Sequence, residues 1–93
     1  MLTSIKFGSI TLDGELAAYR GGLALLTGGG SERLSIHLDA YGLIPAEGNF
    51  FIKDYSEHRG VTKQLVDAGA VEIVREVVFG PFNTRAFEIT LLF

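Results

Sequence analysis

Two histidines and eleven carboxylate side chains are the residues of this chain that could do chemistry. His37, Asp39 and His58 are metal-ligating types, but their spacing is not that of a recognised site. His37 also falls on the presumed wet face of an alternating strand. Ser56 and His58 stand two apart at a helix start. That spacing points them in different directions, so they do not form a nucleophile and its base. Asp54, Glu57, Glu72 and Glu76 supply carboxylates, yet acid–base catalysis needs two of them in contrasting environments within one cleft. No pattern selects such a pair. Gly28-Gly29-Gly30-Ser31 lacks the lysine and the following helix of a phosphate-binding loop, and reads as a flexible hairpin loop. Cysteine is absent, which removes disulfides, thiolate nucleophiles and Cys-ligated zinc. The expectation is a non-enzyme with no metal and no cofactor.

Charge and hydropathy exclude further classes. The net charge is -3, from 8 basic and 11 acidic residues, whereas nucleic-acid binding needs clustered cations to release counterions. No apolar run is long enough to span a bilayer, and the first residues carry no basic start followed by an apolar block. A cytoplasmic location and a single domain over residues 1–93 are the resulting expectations. At 47% hydrophobic, the chain has apolar material for a core.

Most of the chain reads as short strands. Alternation predicts strands at 2–7, 10–12 and 15–19, with Asp13-Gly14 as a hairpin turn because both residues tolerate positive φ. Gly8-Ser9 reads as a bulge. Further strands are predicted at 23–27 and 32–38, the latter with Leu34, Ile36 and Leu38 inward and Ser35 and His37 outward. Residues 39–49 are irregular around Pro45, and 50–53 form a short buried strand. The one helix follows. Ser56 is placed as its N-cap, although Gly60 moves the start towards Val61. Val61, Leu65 and Ala68 make its apolar stripe, and Gly69 ends it in a left-handed conformation. Strands 71–79 and 84–92 close the chain around a turn at 80–83. Val71, Ile73, Val77 and Phe79 share one face, and Phe87, Ile89 and Leu91 face the helix.

The fold class is therefore α+β: one predominantly antiparallel sheet of six or seven strands with one α-helix packed on it. Core packing accounts for most aromatics. Tyr41 and Phe82 fall in loops, and Asp54 and Arg85 lie near turns. Exposed aromatics beside arginines are the usual make-up of a protein-binding hot spot, so these four are the candidate partner-binding residues.

Residues 50–69, from Phe50-Phe51-Ile52-Lys53-Asp54-Tyr55-Ser56-Glu57-His58-Arg59-Gly60 through Leu65-Val66-Asp67-Ala68-Gly69, resemble a family of small bacterial and mobile-element proteins. Its members carry an extended Lys-Asp-aromatic-Ser-Glu segment, then a Gly-containing helix ending in Ala-Gly. Leu34 to Leu38 and Arg75 to Gly80 fit the same layout. The first 30 residues do not match, and His58 departs from the family's Asn. The family has no assigned chemistry, so the resemblance implies a context, not a site. That context is plasmids, phages and integrated elements, where small acidic proteins block host complexes. It implies a non-enzymatic protein-binding module, an inhibitor of a host defence complex of the anti-CRISPR kind, acting by occlusion. The alternatives are a structural or assembly protein that forms homodimers through an edge strand, and a small ligand-binding domain or enzyme using the Asp54–His58 turn.

Overall fold

The first hairpin turns at Gly8-Ser9, not at Asp13-Gly14. In the computed structural model, which describes residues 1–19 and 21–93, β1 (Leu2–Phe7) and β2 (Ile10–Tyr19) pair antiparallel with Phe7 opposite Ile10. Gly8 has φ 62°, the positive value a primed two-residue turn needs at its first position. Asp13 and Gly14 lie inside β2, opposite Ser4 and Thr3. Gly14 serves close approach instead of turning. A Cβ there would sit 2.3 Å from the carbonyl oxygen of Leu26 on the adjacent strand. β3 (Gly22–Thr27) and β4 (Gly30–Arg33) complete a sheet of order β1-β2-β3-β4, and Gly28-Gly29 makes the hairpin that the glycine run predicts.

The predicted strand 32–38 is two strands in two sheets. Leu34 is the crossing point. Its N–H donates to Leu23 in the first sheet, and its carbonyl accepts from Lys53 in the second, both at 2.9 Å. β5 (Ser35–Ile36) then begins a second antiparallel sheet, with β6 (Phe50–Lys53), β7 (Val71–Phe79) and β8 (Thr84–Leu91) in the order β5-β6-β8-β7. Ser35 is consequently buried, not outward, and its hydroxyl accepts the Leu23 N–H. The single sheet expected is thus two four-stranded sheets. The class stands as α+β, antiparallel with one α-helix, α1 (Val61–Asp67).

One core lies where the first sheet and α1 cover one face of the second. It contains Ile5, Leu16, Leu23, Leu25 and Leu34, with Val61, Leu65 and Ile89. A smaller core of Leu38, Phe51, Val77 and Ala86, joined by Leu43 and Phe79, fills the opposite face beneath the irregular segment. The predicted common face of β7 is therefore split. The register shifts between Ile73 and Arg75, so Val74 is an extra residue and alternation reverses across it. Val71 remains in the helix-side core, while Val77 and Phe79 pack on the other side.

Leu65 and Val61 face the core, as predicted, but Ala68 is exposed and Thr62 takes its place on the buried side. The helix is only seven residues long, so its stripe ends before position 68. Gly69, at φ 72°, closes it as predicted. The Gly69 N–H reaches Val66 O, and the Ala70 N–H reaches Leu65 O, which together make a Schellman ending. The Gln64 side chain exchanges two hydrogen bonds with the Lys6 backbone, at 2.7 and 2.8 Å, and so ties the helix to edge strand β1. Among the described residues no helix is long and apolar enough to cross a membrane.

Candidate functional site

Asp54, at the end of β6, starts the construction of the site. One carboxylate oxygen accepts the Gly60 N–H and the other the Thr62 N–H, both at 3.0 Å. These donors have no partner within α1, because the first N–H groups of a helix point outward along its axis. Asp54 therefore caps α1 across an intervening 3₁₀ turn, Ser56–His58. Ser56 makes no side-chain cap bond, which corrects its predicted role. A serine hydroxyl reaches only two or three residues along the chain, whereas α1 begins at Val61. Replacing Asp54 by Ala is expected to cost ~1–2 kcal/mol, and Ser56→Ala to leave the urea midpoint nearly unchanged. Equal losses in the two variants would return the cap to Ser56.

The 3₁₀ turn sends its two most suggestive side chains in opposite directions. His58 turns inward and is 4% exposed, with its ring edge-on to Phe7 at 5.2 Å. Its Nε2 lies 3.0 Å from Glu32 Oε1, at ion-pair distance but without hydrogen-bond alignment. His37 instead lies on the surface beside Arg33, with Nε2 3.2 Å from the guanidinium. His37, Asp39 and His58 do not converge, and no group of three or more potential metal ligands forms among the described residues.

Ser56 and Arg59 face outward, across a groove from the β7–β8 turn. Asp54, Tyr55, Ser56 and Arg59 form one wall, and Phe82, Asn83, Thr84 and Arg85 the other, around about 470 Å³. Three of the four predicted partner-binding residues, Asp54, Phe82 and Arg85, thus share one groove. Tyr41 stands beside it. Its ring packs on Phe79 at 5.2 Å, and Phe79 meets Tyr55 edge-on at 6.2 Å. Phe82 is 88% exposed and Tyr41 54%, so neither serves a core. Burial raises the pKa of the Tyr55 phenol, helped by the negative charge of Glu57 and by Tyr41, which keeps it a neutral donor.

The backbone marks the same place. Ser56 and Asn83, at φ 54° and 51°, are the only non-glycine residues with positive φ among the described residues, and both line this groove. Left-handed backbone at non-glycine positions costs of order 1 kcal/mol or more, and it concentrates at ligand-binding sites. Arg59 has no ion pair within 4 Å among the described residues, and Arg85 has only Glu76 at 3.8 Å, with both side chains exposed. The four residues selected for partner binding did not include Arg59, Tyr55 or Asn83, and Tyr55 entered only as part of the alternative Asp54–His58 turn. The Asn following Gly-Pro-Phe was a signal for left-handed backbone. Nothing local signals that Arg59 and Arg85 line one groove, because 25 residues separate them and the β6–β8 pairing brings the turn after β6 beside the start of β8.

Comparison with protein-family models, curated proteins and solved structures finds no match to this chain. Fold and site define an α+β domain of two antiparallel sheets with a polar groove rimmed by exposed aromatics.

Proposed function

We propose that this protein is a non-enzymatic protein-binding module, and that the groove between the Ser56–His58 turn and the β7–β8 turn, with Tyr41 beside it, is its docking face. The observation that carries the reading is Phe82, an 88% exposed aromatic on a turn fixed by a left-handed Asn83, next to an arginine. An aromatic so placed contributes nothing to the core and is open to burial in a partner. The mechanism is occlusion, in which the docked face covers its partner's working surface. The narrower proposal, an inhibitor of a host defence complex of the anti-CRISPR kind, rests on the sequence resemblance alone.

A second reading draws on the same groove. Polar groups beside the Asp54–His58 turn also suit a small-ligand site. His58 is outside that groove and both Asp54 oxygens are bonded to backbone, so the reading is of binding and not of turnover. Self-association through edge strand β7 is less suited. The Val74 bulge and exposed Glu72 and Glu76 discourage strand addition there.

Tyr41→Ala and Phe82→Ala are expected to weaken partner binding by more than ~1 kcal/mol each while melting temperature stays near wild type. Affinity is measured for a partner recovered by pull-down and purified. Variants that lose stability before affinity place these rings in the core. Variants that keep both properties move the docking face elsewhere.

A further inference from the structure

We infer that the groove reads a negatively charged peptide segment, in which carboxylates are held by Arg59 and Arg85 and a neighbouring apolar side chain rests on Phe82. The inference rests on the protein-binding reading above and adds the chemistry of the partner.

Charge distribution is the first ground. The chain as a whole is acidic, at -3. The groove's own lining departs from that balance, with two guanidinium groups against one carboxylate, while Glu76 stands outside the lining within 3.8 Å of Arg85. That carboxylate, Asp54, is already engaged by two backbone N–H groups. Neither arginine makes an ion pair with it, although all three line one groove. Arg85 retains only a 3.8 Å contact to exposed Glu76, a distance at which a solvated pair is weak. Elsewhere in the molecule arginine is used differently. Arg75 is committed to buried Glu88 at 2.6 Å, and Arg33 to Ser35 and His37. Among the described residues Arg59 is thus in no ion pair and Arg85 only in the weak one with Glu76.

Donor chemistry is the second ground. Guanidinium presents paired N–H groups that match a carboxylate in geometry. Ser56 and Thr84 add hydroxyls and Asn83 an amide around the same space. Left-handed Ser56 and Asn83 place one of these donors on each wall.

The apolar component selects a peptide over other anions. Phe82 offers a large ring at the rim, and an acidic residue beside an apolar one satisfies both features at once. Single-stranded nucleic acid could also stack on a ring, but it needs a continuous basic track. Two arginines alone line the groove, and Glu76 stands beside one of them, which is too little for such a track.

The test is an amide chemical-shift titration of the full chain with three probes: an acetylated and amidated peptide alternating Glu with Leu, its Lys-for-Glu counterpart, and oligothymidylate. The acidic peptide is expected to shift Tyr55, Ser56, Arg59 and the 82–85 amides. Its affinity should fall with added salt, and by about tenfold or more in Arg59→Gln/Arg85→Gln. No shift at these amides, equal binding of the lysine peptide, or preferential binding of oligothymidylate overturns the inference. A Phe82-dependent protein partner that binds Arg59→Gln/Arg85→Gln as tightly as wild type also overturns it, while leaving the binding-module reading intact. Acidic-peptide shifts in this groove with no Tyr41 or Phe82 dependence for a purified partner give the opposite split. Wild-type melting of the double variant confirms that any loss is local.

Discussion

Replacing Glu88 by Ala is expected to cost about 3 kcal/mol and to loosen the segment that carries Tyr41. Glu88 lies on β8 with 2% exposure, facing away from the helix. One oxygen accepts Arg75 Nε at 2.6 Å. The other accepts the Ala46 N–H at 3.0 Å and Asn49 Nδ2 at 2.8 Å. Arg75 Nη2 also donates to Ile44 O, and its guanidinium stacks over Phe51 at 5.5 Å. Glu88 is thus the polar centre beneath an otherwise irregular segment. Alanine leaves the Ala46 N–H and the Asn49 amide without their acceptor in a part-buried place, and removes the partner of Arg75. Arg75 is half-exposed and can rehydrate, which keeps the loss at the low end for broken buried pairs. Glu88→Gln preserves shape and acceptors for two donors and should lose less.

The same carboxylate predicts an acid response. Burial alone would raise its pKa, but hydrogen bonds from Asn49, Arg75 and Ala46, with the charge of Arg75, overcome that and hold it below the ordinary 4.5. A depressed folded-state pKa means the ionised form is favoured by folding. Its stabilisation is fully present above the unfolded value and is lost as pH falls through the folded one. Urea midpoints should therefore decline below about pH 4.5 in wild type and decline less in Glu88→Gln. Parallel declines in the two proteins would remove Glu88 from this role.

Ile89→Ala is expected to cost ~2–5 kcal/mol, through lost burial and the cavity it opens beneath α1. Ile89 is fully buried, and it belongs to the core containing Val61, Leu65 and Ile52. Phe50 on β6 and Ile73 on β7 flank it across the sheet. Chemical denaturation measures the loss directly. A silent substitution would mean that β8 is displaced by one residue, which would exchange Ile89 with Glu88.

That exchange shows where local reasoning met its limit. An alternating strand with isoleucine on one side and glutamate on the other reads as one dry face and one wet face. Here both faces are dry at the centre, because residues 39–49 fold over the Glu88 side. The segment has no periodicity to announce this. Partners distant in sequence hold it there: Glu88, about 40 residues away, the Arg75 bond to Ile44, and the packing of Leu43 and Tyr41. Asp13-Gly14 failed for a related reason. The turn signal was sound as chemistry, but Gly8-Ser9 formed the turn, and Gly14 was needed where β2 passes close to Leu26.

What the chain's own sequence determined were properties set by neighbours along the chain. The α+β class, the C-terminal strands, the start of the helix near Val61 and its end at Gly69 follow from alternation, β-branching and glycine conformations, which act over a few residues. The exposure of Tyr41 and Phe82 follows from their place outside the strands and α1, Tyr41 at the end of a 3₁₀ turn, Asp39–Tyr41, and Phe82 in the β7–β8 turn. Tertiary structure alone decided the division into two sheets, because the crossing at Leu34 breaks no local pattern. It decided that Asp54 and not Ser56 caps the helix, because a carboxylate six and eight residues away reaches the orphan N–H groups once the 3₁₀ turn folds back. It also decided that Arg59 and Arg85 line one groove while Arg75 goes to Glu88. Ion pairing depends on distance through space, and strand pairing sets that distance without leaving a trace in the residues nearby.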